Sequence, residues 1–98
     1  MPPRPRPISD TVFLVNPAAA NGSTGKRWPE IARRAAVRGL EGDARFSERA
    51  GQLGNLAREA ADSGARLLVV VGGDGSVNEV ANGIAGRDDV EIAVIPRG

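Results

Sequence analysis

Ninety-eight residues allow one small domain, burying about two-thirds of the surface its unfolded chain exposes. The absence of cysteine and histidine excludes disulfides, thiolate metal sites, histidine-dependent triads and most zinc centres, so any acid–base chemistry falls to carboxylates, lysine or hydroxyls. The net charge of +1 divides unevenly: eight basic and four acidic residues up to Arg45, five and eight after it. Such a basic first half suits an anionic membrane or a triphosphate, or is simply a solvated helix face. Nothing in the composition points to nucleic acid. No apolar run approaches the roughly 20 residues of a membrane span, and Met1 to Asp10 lacks the apolar region of a signal peptide.

In chain order, residues 1–10 interleave four prolines with Arg4 and Arg6 and read as a flexible, extended arm. Val12 to Val15 is a short, wholly apolar first strand, the pattern of a parallel strand buried on both faces. Asn16-Pro17 ends it. The small-residue loop from Ala18 to Lys26 resembles a Walker A loop only superficially: Ala20 replaces the first glycine, and Arg27 the magnesium-binding Ser or Thr. A first helix is predicted from about Gly25 to Arg38, with Trp28, Ile31, Ala32 and Ala35 on its core face. Pro29 fits only near its first turn, and Gly39 ends it. Lys26 is assigned to a solvated helix end. Ala44 to Ser47 reads as a weakly signalled second strand. Leu53, Leu56, Ala57, Ala60 and Ala61 mark a second amphipathic helix, ending at Gly64. The apolar run Leu67 to Val71 is a buried third strand. Three glycines around Asp74 follow, then a helical pattern at Val77, Val80, Ala81 and Ile84. Gly86 to Asp89 is a polar turn, and Ile92 to Ile95 a fourth strand.

Alternation of strand and helix calls for an α/β domain: a three-layer αβα sandwich around a mostly parallel, Rossmann-like sheet. Ligands of such sheets sit at the carboxyl ends of the strands. Asn16, Ser47, Gly72 to Ser76, and Pro96 all fall there. The strand–glycine turn–helix at Gly72 aims backbone N–H groups and a helix N-terminus at one point, which attracts phosphate. Glycine leaves no Cβ to hold a ligand away. A carboxylate such as Asp74 is unfavourable in a phosphate cradle unless it holds magnesium, orients a hydroxyl or takes its proton. Ser76-Val77-Asn78-Glu79 also has the form of a capping box, with Ser76 bonding the N–H of Glu79 and Glu79 reaching back. A dinucleotide-binding reading fails, because Asn78 stands where the third glycine belongs and Ile95 where a ribose-binding acid belongs.

The run Gly72-Gly73-Asp74-Gly75-Ser76-Val77-Asn78-Glu79-Val80-Ala81-Asn82-Gly83 resembles the signature of the diacylglycerol kinase catalytic domain, the family of bacterial lipid kinases and of sphingosine and ceramide kinases. Ser76 stands where that family usually has Thr, and both supply a hydroxyl. The shorter Gly-Gly-Asp-Gly core also resembles the phosphate loops of NAD kinases and phosphofructokinases. Asn78-Glu79 and Asn82-Gly83 separate this chain from them. Asn16-Pro17 with Gly22 and Gly25 resembles the family's first loop, beside the nucleotide, and Ser47 stands for a nucleotide-holding Thr. The resemblance implies a phosphofructokinase-like nucleotide-binding domain over residues 11–98, and transfer of the γ-phosphoryl group of ATP to a lipid hydroxyl with magnesium. It makes Asn16, Ser47 and Gly72 to Glu79 (Val77 included) the nucleotide contacts and Asp74 the catalytic residue, in a cytoplasmic protein peripheral to the inner membrane face. Ile95-Pro96-Arg97-Gly98 resembles the start of the family's Pro-x-Gly-Thr motif. The chain is therefore expected to be the N-terminal part of a longer enzyme, with magnesium carboxylates, base and much of the lipid site in a later β-rich domain. An NAD kinase-like enzyme and a non-catalytic nucleotide-binding module are the alternatives.

Overall fold

The computed structural model describes residues 10–97, so the expected Pro/Arg arm lies outside the described residues except for Asp10. Four strands, β1 (Thr11–Val15), β2 (Asp43–Phe46), β3 (Leu67–Gly72) and β4 (Glu91–Pro96), alternate with α1 (Ser23–Val37), α2 (Gln52–Asp62) and α3 (Asp74–Gly83). All strand pairs are parallel, in the order β2-β1-β3-β4. The expected αβα sandwich is what forms, with helices on both faces of the sheet.

Alternating side chains of β1 and β3 serve opposite faces, as the two-residue period of a strand requires. Val12, Leu14, Leu68 and Val70 meet Leu53, Ala57 and Ala60 of α2 and Val80 of α3. Phe13, Val15, Val69 and Val71 meet Ala35, Trp28 and Ile31 of α1. Most of these strand side chains have no exposed surface, each contributing about 2 kcal/mol by removal from water. Trp28 packs edge-on against Phe13 (centroids 5.3 Å apart) and Phe46 (5.8 Å), in the core role expected of it.

Several local expectations change. α1 begins at Ser23, behind Gly22 with φ 83°, so Pro29 is its seventh residue and not part of its first turn. The missing N–H leaves the Gly25 carbonyl without its helical donor, an interruption the packing of Trp28 and Ile31 on both sides tolerates. β2 starts one residue early, at Asp43, leaving Ser47 just beyond it. Ala81 is exposed, because the core face of α3 narrows to Val77, Val80 and Ile84. Where α2 and α3 cross, Gly54 meets Gly83 backbone to backbone: a Cβ on Gly83 would overlap the Gly54 backbone. In the turn before β4, Arg87 donates to Asp89 (3.0 and 2.9 Å) and to Asp62 at the end of α2.

Candidate functional site

β1 sits between β2 and β3, and the chain leaves it through α1 on one face while α2 and α3 cover the other. Adjacent strands whose following helices lie on opposite faces leave a crevice at their carboxyl ends. Two segments enter that crevice, Asn16 from β1 and, after β3, Gly73 and Gly75; Asp74 between them is exposed and lines neither hollow. The Asn16 N–H donates to Val71 (3.0 Å), extending the ladder. Its side-chain oxygen accepts from the Ala18 N–H (3.1 Å), and its amide donates to the Ser76 hydroxyl (3.3 Å). Asn16 thereby ties the end of β1 to β3 through its backbone N–H and to α3 through its amide nitrogen, while its amide oxygen fixes its own loop.

The capping box does not form. α3 starts at Asp74 with Gly73 as its N-cap, and no side chain caps it. Ser76 is buried inside the first turn, facing Asn16, too far into the helix to serve as a cap. Glu79 turns the other way and accepts from the N–H of Leu53 (3.3 Å) in the first turn of α2. The first helical bond runs from the Val77 N–H to the Gly73 carbonyl (3.1 Å). The N–H groups of Asp74, Gly75 and Ser76 therefore lie before the intrahelical ladder begins, without a protein cap. A capping box would have satisfied part of this set. Its absence leaves the donors to a ligand.

The β1–α1 loop contrasts with this. The N–H groups of Gly22, Ser23, Thr24 and Gly25 bond back to carbonyls of Ala18, Ala20, Ala19 and Pro17. Its donors are consumed within the loop, so it is no Walker A cradle. Two adjoining hollows flank Asn16 and Glu79, which line both. One, of about 240 Å³, also has Ser47, Arg49 and Leu53 in its wall; the other, of about 270 Å³, has Gly73, Gly75, Ser76 and Arg97. Each alone falls just below the size of a typical small-molecule site, roughly 300–1,000 Å³, and the two adjoin at Asn16 and Glu79.

The crevice thus unites Asn16, Ser47, Gly73, Gly75, Ser76 and Glu79. Gly72 is buried directly beneath, its missing Cβ making room for Ser76. Asp74 is exposed at the first residue of α3, with no hydrogen bond or ion pair to another described side chain. Val77 packs into the core and its N–H is taken by the Gly73 carbonyl, so it lines neither hollow. Asn78 is exposed and lines neither hollow. Pro96 pairs with Gly72, while the residue after it, Arg97, reaches the crevice.

The model of the diacylglycerol kinase catalytic domain matches residues 10–98. The chain belongs to the diacylglycerol kinase catalytic domain family. Among relatives, it is 31% identical over 94 residues to "Putative lipid kinase YtlR" of Bacillus subtilis (strain 168), covering 93% of this chain and 30% of that protein. It is 33% identical over 87 residues to a diacylglycerol kinase of Staphylococcus carnosus (strain TM300), covering 88% and 28%. A solved structure, "A putative diacylglycerol kinase from Bacillus anthracis str. Sterne", superposes with a TM-score of 0.78 at 28% identity, over 94% of this chain and 33% of that one. The chain spans about a third or less of each. It is thus a lipid kinase-like domain. Arg49, Leu53 and Arg97 also line the crevice and are not among the expected contacts; Arg97 stands one residue beyond the fourth strand, the position that also marks Asn16 and Ser47.

Proposed function

We propose that this chain is the ATP-binding part of a lipid kinase that transfers the γ-phosphoryl group of ATP to a lipid hydroxyl. One observation carries the reading: the N-terminus of α3 opens uncapped into the crevice at the β1/β3 switch point. Unbonded N–H groups and the helix dipole there favour an anion of phosphate type. Gly73 and Gly75 let it approach the backbone closely. Asn16 and Ser76 hold the loop in register, Ser47 and Glu79 wall the nucleotide's side, and Val77 and Asn78 stand behind the cradle, inside the helical ladder.

In the reaction the bond between the γ-phosphorus and its bridging oxygen breaks, ADP leaves, and the lipid oxygen bonds to phosphorus as its proton departs. Positioning and charge stabilisation carry most of such a transfer. Asp74, exposed beside the cradle, is assigned to orient that hydroxyl or accept its proton. Magnesium, which the family likeness implies, supplies neutralisation of phosphate charge when bound. Among the described residues no group of three carboxylates could hold it, and Asp74 alone does not make a site, so no step is routed through it. Among the described residues no helix is long and apolar enough to cross a membrane, and we assign the enzyme to the cytoplasmic membrane surface, reached peripherally. Residues 11–98 would be its nucleotide-binding portion.

The test supplies a protein containing this chain with γ-labelled ATP, magnesium, a mixed lipid extract and NAD, then partitions the products. Label is expected in the organic phase, and Asp74→Ala is expected to reduce it about 10²- to 10⁴-fold with ATP binding retained. Label on NAD, or ATP binding without any transfer, would overturn the lipid kinase assignment.

A further inference from the structure

Arg97 enters the crevice from a fixed backbone. Its N–H donates to the Gly72 carbonyl (2.8 Å), one residue past the Gly72–Pro96 pair that closes the sheet. The side chain is anchored as firmly. Nε donates to the Thr24 hydroxyl (3.1 Å) and Nη2 to the Ser23 hydroxyl (3.0 Å). Thr24 is fully buried, so one edge of the guanidinium is held by an immobile acceptor. A guanidinium carries five N–H donors in a rigid plane, and these two bonds leave three.

Hydroxyls orient a cation but do not neutralise it. Arg27, Arg34 and Arg87 each have a carboxylate partner; among the described residues Arg97 has none. The acid that shares its hollow, Glu79, is turned to the N–H of Leu53. A half-buried, immobilised cation without a counter-charge is unfavourable in the empty protein. It lines the same hollow as Gly73, Gly75 and Ser76, where the uncapped N–H groups of α3 lie. Arginine in that setting is suited to phosphate, whose oxygens match its fork.

We propose that Arg97 is a phosphate-binding side chain, held in place by Ser23 and Thr24, whose ligand is the phosphate chain of a nucleotide. The proposal rests on the nucleotide-binding reading above and adds the full positive charge that the glycine loop lacks. Ser23 and Thr24 are positioning residues: they fix the guanidinium and do not touch the ligand.

The test titrates a protein containing this chain with ATP, adenosine and inorganic tripolyphosphate, and follows the Arg97 Nε–H resonance. Arg97→Ala is expected to weaken ATP and tripolyphosphate about ten- to a hundredfold while adenosine affinity stays within about twofold. Arg97→Lys should recover part of the loss, keeping charge without the fork. The double change Ser23→Ala/Thr24→Ala should give an intermediate loss, which a merely structural tie between β4 and α1 would not pass on to tripolyphosphate selectively. In the wild-type chain the Nε–H signal should move on adding tripolyphosphate, a readout that needs no variant to fold. Unchanged tripolyphosphate affinity in a folded Arg97→Ala chain, or a static Nε–H signal, overturns the role of Arg97 and leaves the nucleotide reading intact. Tripolyphosphate binding that adenosine does not improve supports Arg97 but removes the nucleotide. Binding of neither overturns both.

Discussion

Gly72 and Gly75, three residues apart, do opposite things with the absence of a side chain. A Cβ on Gly72 would lie 2.5 Å from the Ser76 hydroxyl and 2.8 Å from its Cβ. Gly72→Ala therefore forces Ser76 away from Asn16 and is expected to destabilise the fold by about 1–3 kcal/mol. A Cβ on Gly75 meets nothing within 4 Å, and its backbone is not left-handed. Gly75→Ala should leave stability unchanged or raise it by about 0.5–1 kcal/mol, yet it places a methyl group at the wall of the crevice. Thermal melts and ATP titration separate the two: Gly72→Ala loses both stability and binding, Gly75→Ala binding alone. A Gly75→Ala chain that binds ATP as tightly as the parent would mean that no ligand approaches this backbone. Sequence singles out both glycines for one reason, close approach by phosphate, and the contacts leave that reason to Gly75 alone. Gly72 is glycine because of its own neighbour, which no spacing rule reveals.

Between elements, the crossing of α2 and α3 depends on Gly54 and Gly83. Backbone atoms stand in the way of either Cβ: the Glu79 carbonyl oxygen is 2.8 Å from one built on Gly54. Backbone cannot rotate aside as a side chain can, so Gly83→Ala is expected to destabilise by about 1–3 kcal/mol, despite alanine's better helix propensity. Denaturant melts measure it; a stabilised Gly83→Ala chain would contradict the packing described. The same crossing explains why Glu79 faces Leu53: with α2 this close, its carboxylate meets the first turn of a neighbouring helix before it can fold back on its own. The capping box was legible as four residue types at the right spacing, but spacing carries no information about a helix packed alongside. Strands read well because their apolar runs reflect burial on both faces, as in Val12 to Val15 and Leu67 to Val71. α1 read less well at its start, since the turn holding Gly22 at φ 83° depends on bonds from the N–H groups of Gly22, Ser23 and Thr24 to the carbonyls of Ala18, Ala20 and Ala19.

For the whole molecule, acid stability has an identifiable contributor at the end of the sheet opposite the crevice. Hydrogen bonding to Arg87 holds the Asp89 carboxyl below its ordinary value of 3.8. The same arginine bonds Asp62, tying the end of α2 to the turn before β4. A carboxylate whose pKa falls on folding contributes stability above its unfolded value, and that contribution disappears as pH drops through the folded value. Asp89→Asn should lower the melting temperature slightly at about pH 6, the pair being exposed, and the gap to the parent should close as pH falls well below about 4. A gap that persists in strong acid would mean that packing, not charge, accounts for it. The parallel sheet has a further consequence, in the time domain. Asn16 and Ser76 are separated by 60 residues, and β1 meets β3 only after α1, β2 and α2 have been looped out between them. Closing so long a loop precedes any return from the contact. An intermediate without the β1–β3 ladder can have its helices and the β1–β2 pair, but it has no switch point, no fixed Asn16 and no crevice. An anion that binds there recognises only the completed chain, and by mass action it stabilises that state and none before it.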